Sequence, residues 1–348
     1  MARPPARKLR RRQCFEFPVL LLVSAFPAKH GTLRWGPSPA VALSPAKGAG
    51  PPVTEVGGLP VHRAHHSINK KNNNNNENDD DDDDAPPYCF ALSSIAGLPP
   101  ATNFLATQVW PSARVAAATL EDRVFGSSGL LVSATGEGPP TVCELGCGPG
   151  LPSLVVAAGA AASGEGGCAV RVIATDVDPF ALDLVAAAAG EQGLLADGSG
   201  GGGVLSTRVL DLVRTGERLA EEDSGSGNAN TIDDDIDNDI DNDDSLSWLR
   251  DVDLFVLSDV FESGAVAAGA ARLTHRVLSW GASETKPRRP RRVWVFAQTD
   301  RAQREAYREE LGALLGFEAV PEWSSPESFG VSDLLWLCDV DETLVAYG

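Results

Sequence analysis

Thr141-Val142-Cys143-Glu144-Leu145-Gly146-Cys147-Gly148-Pro149-Gly150 is the stretch whose reading decides the fold. Apart from Glu144, its first five residues are apolar or β-branched and read as a buried strand. Three glycines follow within five positions, and residues 151–162 (LPSLVVAAGAAA) then read as an apolar helix. Strand, glycine turn and helix in that order make a ligand cradle. Glycine lets the backbone approach a ligand where a Cβ would collide, and the helix start offers N–H groups that lack intrahelical partners. The dinucleotide fingerprint GxGxxG needs glycine where Leu151 stands. The spacing here is GxGxG, which argues against a nicotinamide or flavin site.

Working outward, residues 169–175 (AVRVIAT) read as a second strand ending at Asp176-Val177-Asp178-Pro179, ahead of a helical stretch over 180–192. A carboxylate at that strand end can accept both hydrogen bonds of a ribose diol, which suits Asp176. Asp178 directly precedes a proline and suits a helix N-cap. A Gly-rich turn leads to a strand over 204–210 and then Asp211. Residues 252–258 (VDLFVLS) form a fourth strand, ending at Asp259-Val260-Phe261-Glu262 before a long Ala-rich helix. A fifth strand over 292–298 precedes a helix over 301–315, and 334–338 is a late strand running into a polar turn. Strands alternating with helices imply a mostly parallel sheet covered on both faces.

ELGCGPG, ATDVDP, VLDL and LSDVFE resemble motifs I, post-I, II/III and IV of class I, seven-β-strand methyltransferases that use S-adenosylmethionine (SAM); the resemblance covers residues 100–345. Trp110-Pro111-Ser112-Ala113 resembles the helix start of the protein-lysine methyltransferase-like branch, methyltransferase family 16. The resemblance implies an α/β, Rossmann-like, doubly wound, mostly parallel seven-stranded sheet with helices on both faces, and S-adenosyl-L-methionine as cofactor. It implies that Glu144 orients the glycine loop or the methionine amine, and that Gly146, Gly148 and Gly150 line the methionine and ribose. Asp176 would take the ribose hydroxyls and Asp211 the adenine amino group. Trp110 would pack beside the cofactor; a plain core aromatic is the other reading.

On the acceptor side the resemblance implies Asp259 at the substrate lip; beside it Glu262 reads as a second hydrogen-bond acceptor and Phe261 as a wall, and the bland alternative is that Asp259 caps the next helix. Lysine-modifying members carry an aromatic three positions after this Asp, where Glu262 stands, and Phe261 comes one place early. The D/N-P-P-Y/F motif that holds a flipped base is absent. The expected activity is therefore N-methylation of a protein lysine or a small-molecule amine, not of nucleic acid, by a monomer. A catalytically inactive SAM-binding interaction module is the alternative, because transfer from a sulfonium needs proximity and in-line geometry but no triad.

The chain has 348 residues, enough for one large domain plus extras. Its charge of −19 is uneven: +10 over residues 1–71, −7 over 77–84, −11 over 221–244 and −11 over the rest. A mildly acidic folded part does not suit a domain that tracks phosphates. The basic run KPRRPRR at 286–292 reads as a solvated loop, or alternatively as a nuclear-localisation or polyanion-binding patch.

Residues 1–85 are expected to be a targeting leader and disordered low-complexity segment, and 86–348 the methyltransferase domain with a disordered acidic insertion at 221–244. Arg7 to Arg12 and the apolar stretch FPVLLLVSAF form a signal-peptide pattern too short to stay as a membrane anchor, followed by acid-poor, transit-like sequence. Ser24-Ala25-Phe26-Pro27-Ala28 resembles the leader junction of algae with secondary plastids. Plastid delivery is the expectation, with cytoplasm or nucleus as the alternative.

The spaced Asp and Asn of 233–239 lack the Gly and Glu of an EF-hand loop. Six cysteines without a CxxC pair read as reduced core thiols, and no metal site is expected. Asp339-Val340-Asp341-Glu342-Thr343 matches the DxDxT of haloacid-dehalogenase-type phosphatases. Only five residues follow it, too few to supply the later groups that chemistry needs.

Overall fold

A computed structural model describes residues 53–67, 88–94, 104–125, 138–162, 170–196, 204–223, 243–283, 291–325 and 334–341. The leader over 1–52, the Asn/Asp run, residues 224–242 and residues 284–290 of the basic run lie outside the described residues. The order of elements is β1 (Glu55–Val56), β2 (Leu59–Pro60), β3 (His62–Ser67), β4 (Tyr88–Ser93), α1 (Pro111–Leu120), β5 (Thr141–Leu145), α2 (Leu151–Ala162), β6 (Arg171–Asp176), α3 (Pro179–Glu191) and β7 (Leu205–Val209). There follow α4 (Leu212–Asp223), β8 (Leu254–Ser258), α5 (Gly264–Ser283), β9 (Arg292–Gln298), α6 (Gln303–Leu315) and β10 (Leu335–Val340).

The main sheet runs β7-β6-β5-β8-β9-β10 with every adjacent pair parallel. Six strands pair in it among the described residues, against the seven that the resemblance implies. The parallel, helix-flanked sheet itself is as the alternation of the sequence predicts. The pleat divides its side chains. Val142, Ala174, Val256 and Phe296 pack with Leu120, Leu154 and Val185 of α1 to α3, while Cys143, Phe255, Val295 and Leu337 pack with Leu219, Ala270 and Leu311 of α4 to α6. Burial on both faces is why these strands read as continuous apolar runs. A fully buried side chain such as Phe255 or Leu154 contributes about 1.5–3 kcal/mol. Trp336 stands edge-on to both Trp294 and Phe296, with centroids 6.3 and 5.3 Å apart, and so locks β10 onto β9. At the far edge β7 carries Ser206, Thr207 and Arg208, polar residues that blunt an exposed edge.

Helix α2 is apolar on all sides, which requires cover on its outer face as well as against the sheet. That cover comes from β4, which pairs antiparallel with β3 and packs on both α2 and α3. The boundary expected at residue 85 is thereby corrected, because residues 53–67 belong to the fold. Composition hid them because polar links hold them as much as apolar burial. Glu191 accepts from Arg63 Nη2 at 2.8 Å and from the Val53 N–H at 2.7 Å. Gln192 brackets Phe90, accepting its N–H at 3.1 Å and donating to its carbonyl at 2.9 Å.

The acidic tract needs the same correction at its ends. Glu221 to Asp223 form the last turn of α4, and Glu222 accepts from Arg276 Nη2 of α5 at 2.8 Å. Asp243 and Asp244 open a 3-10 turn over Asp243–Asp251. Helices α4 and α5 cross at two glycines: a Cβ on Gly269 would stand 2.1 Å from the Leu212 carbonyl oxygen, and one on Gly216 would stand 2.4 Å from Gly269 Cα. Among the described residues no helix is long and apolar enough to cross a membrane.

Candidate functional site

From β5 the chain builds outward through β6 and β7, then returns to the other side of β5 as β8. Parallel sheets bind ligands at such a reversal, in the crevice beyond the carboxyl ends of the strands. A cleft opens there, lined by the β5–α2 loop, the ends of β6, β7 and β8, the segment before α1, and Arg301.

The glycine loop forms the cleft floor. Gly146, Gly148 and Gly150 have φ of 63°, 50° and 70°, a left-handed backbone that side chains oppose. A Cβ would lie 2.7 Å from Val260 Cγ1 at Gly146 and 2.6 Å from Val185 Cγ2 at Gly150. Gly146 and Gly148 line the cleft, whereas Gly150 faces α3. The loop is tied to β6 by Cys147 N–H donating to the Thr175 carbonyl at 2.8 Å, and by Gly148 N–H donating to Asp176 Oδ2 at 2.8 Å.

Asp176 lines the cleft, and its Oδ1 accepts from Asp178 N–H at 2.9 Å. Burial pushes its carboxyl above the ordinary range, opposed by those backbone donors. A carboxylate has about four lone-pair sites, so acceptor capacity remains beyond the backbone N–H groups of Gly148, Val177 and Asp178. Asp178 caps α3 by accepting from Phe180 N–H at 2.9 Å.

Glu144 sits beneath the loop and does not line the cleft. Its Oε2 accepts from Ser153 N–H at 3.0 Å and Ser153 Oγ at 2.6 Å, and its Oε1 meets Ser258 Oγ at 3.2 Å. It braces β5 to α2 and β8, so the geometry favours its loop-orienting role over contact with an amine. Burial pushes its carboxyl up to about 7, opposed by the two serines. Asp211 lines the cleft at the end of β7 and also caps α4, accepting from Val213 N–H at 2.9 Å and Arg214 N–H at 3.2 Å.

At the end of β8, Asp259 does not cap α5; Ser263 does, with its Oγ accepting from Val266 N–H at 3.3 Å. Instead Arg301 grips Asp259 edge-on, Nε to Oδ1 at 3.1 Å and Nη2 to Oδ2 at 3.0 Å, with the Asp259 side chain 1% exposed. Asp259 is the non-glycine residue held at positive φ, 58°, among the described residues. Burial pushes its carboxyl up, opposed by Arg301. The Arg301 guanidinium also lies 4.9 Å over the ring of Trp110, whose Nε1 donates to the Leu105 carbonyl at 2.9 Å. Trp110 thus lines the cleft as an anchored wall.

Phe261 borders the cleft but is 1% exposed, with its ring packed against Tyr307 at 5.2 Å and Trp323 at 6.4 Å. Its ring belongs mostly to the core, so Phe261 meets the cleft only at its border. Glu262 is exposed at the cleft rim.

Sequence reasoning missed Arg301, because an arginine just before a helix looks like any solvated charge. The one clue was the acid at the end of β8, which, once buried, requires a cation. Asp339 of the DxDxT match pairs with Arg304. Among the described residues no group of three or more His, Cys, Asp or Glu gathers as metal ligands do. No family model matches the chain, and no curated protein matches it.

Proposed function

We propose that the protein is a SAM-dependent methyltransferase acting on an amine of a protein or a small molecule. The observation that carries this reading is the glycine loop itself. Its glycines are all left-handed, Gly146 and Gly150 leave no room for a Cβ, and the loop opens beside a strand-end carboxylate at the sheet's reversal point. Gly146 and Gly148 would admit the methionine and ribose, Asp176 would accept the ribose hydroxyls, Asp211 and Trp110 would flank the remainder, and Glu144 would hold the loop in shape. Bound SAM supplies an electrophilic methyl group. The chain's own part is to bind, orient and shield. An amine acceptor must arrive neutral, and the exposed Glu262 carboxylate favours the charged ammonium, so the proton leaves to solvent. We include in the proposal a doubly wound arrangement with a seventh strand beside β10, where Ser324 N–H donates to the Leu337 carbonyl at 2.9 Å. Plastid delivery is proposed from the leader's composition alone.

One observation favours the second reading, an inactive SAM-binding module: the Asp259 side chain is paired with Arg301 and 1% exposed and the Phe261 ring is in the core, so Glu262 alone of the expected acceptor-side trio is exposed. Calorimetry with SAM and its demethylated product, followed by label transfer from methyl-tritiated SAM into the protein and small-molecule fractions of a plastid extract, separates the two. Binding with incorporation supports the enzyme, and binding without incorporation supports the module. Absence of binding overturns both.

A further inference from the structure

Arg301 stands at the acceptor end of the cleft with its guanidinium pinned on two sides. A guanidinium carries five N–H donors in one plane. Nε and Nη2 each spend one on Asp259, at 3.1 and 3.0 Å, and Trp110 covers one face at 4.9 Å. These are all the hydrogen bonds of the Arg301 guanidinium among the described residues. Both N–H groups of Nη1 and the outer N–H of Nη2 therefore remain, forming the end fork of a side chain that lines the cleft and is 27% exposed. A donor fixed at its edge and its face loses little freedom when it binds.

The charge around it limits what that fork can take. Asp259 already neutralises the guanidinium, and the exposed Asp300 and Glu262 both act on it electrostatically. Three carboxylates against one guanidinium disfavour an anion. A neutral carbonyl oxygen escapes that repulsion and still accepts from the fork, while the acidic rim tolerates a positively charged amine nearby.

We propose that Arg301 determines acceptor specificity by donating from its free fork to a carbonyl oxygen of an amide-bearing amine, with Asp259 and Trp110 as the residues that position it. The amine part of this assignment rests on the methyltransferase reading. The carbonyl part rests on Arg301 alone.

The test is calorimetric titration of the full chain with three probes: Nα-acetyl-lysine N-methylamide, n-butylamine, which lacks any carbonyl, and Nα-acetyl-lysine, which carries a carboxylate. Each is run with and without saturating S-adenosylhomocysteine. The diamide should bind about tenfold more tightly than butylamine and more tightly than the carboxylate, the size expected of one charge-assisted hydrogen bond. Arg301→Lys keeps a cation facing Asp259 but lacks the fork, and should erase the preference.

Equal binding of diamide and butylamine to the wild-type chain, including no binding of either, overturns the proposal. So does tighter binding of the carboxylate, or a preference that survives Arg301→Lys. The wild-type comparison decides the matter if the variant folds poorly. Failure of S-adenosylhomocysteine to bind overturns the cofactor reading alone, because the titrations without it still report on Arg301.

Discussion

Ser258, the last residue of β8, places its hydroxyl 3.2 Å from Glu144 Oε1 on β5, so the strand that leads into Asp259 is coupled to the carboxyl that holds the glycine loop. With the proton on Oε1, Glu144 donates to Ser258 while Oε2 keeps accepting from Ser153. The folded state raises this carboxyl from 4.5 to about 7 through burial. The stability tied to the proton is therefore fully present below about pH 4.5 and lost as pH rises through about 7. Glu144→Gln, which fixes the protonated shape, should match the wild type in urea unfolding near pH 5 and exceed it by about 1–3 kcal/mol near pH 8. Parallel pH profiles for the two proteins would contradict the assignment.

Asp176→Ala removes the acceptor for Gly148 N–H as well as the proposed ribose contact. SAM and S-adenosylhomocysteine should each bind more weakly by about 1–3 kcal/mol, the range for charge-assisted hydrogen bonds. Calorimetry reads the loss directly, and an unchanged affinity would remove Asp176 from the site.

Helix crossing offers a stability test with an internal control. Gly269→Ala puts a methyl group 2.1 Å from a backbone oxygen of Leu212 that cannot step aside, and should cost about 3 kcal/mol or more. Gly190→Ala in α3 meets nothing within 4 Å and should stabilise by about 0.5 kcal/mol through a stiffer unfolded chain. Chemical denaturation of both variants checks the pair, and a tolerated Gly269→Ala would mean that α4 and α5 do not cross at this point.

Removing Arg301 strands a carboxylate that is 1% exposed. Arg301→Ala alone should destabilise by about 3 kcal/mol, and Asp259→Asn added to it should restore about half of that, because the stranded charge is gone. A double-mutant cycle in urea gives the coupling. Additive effects would show that the two side chains do not pair in solution.

Most of the main sheet was legible because its strands are buried on both faces and the chain returns to them after each helix. The glycine loop was legible from spacing, and Asp178 from the proline behind it. Three features were not. Residues 53–67 reach the fold through Arg63, Glu191 and Gln192, polar links that leave no apolar period. Phe261 was expected to wall the cleft, but its ring turns into the core beside Tyr307, a packing that no local pattern announces. Arg301 lies 42 residues from Asp259, and no local pattern announces a pair so far apart in sequence.

Glu191 holds the Val53 N–H at 2.7 Å. A chain shortened from its amino end keeps that bond as long as Val53 remains. Shortened further, it still has Arg63 on Glu191 and Gln192 around Phe90, so the apolar back of α2 faces water only once β3 and β4 themselves are lost.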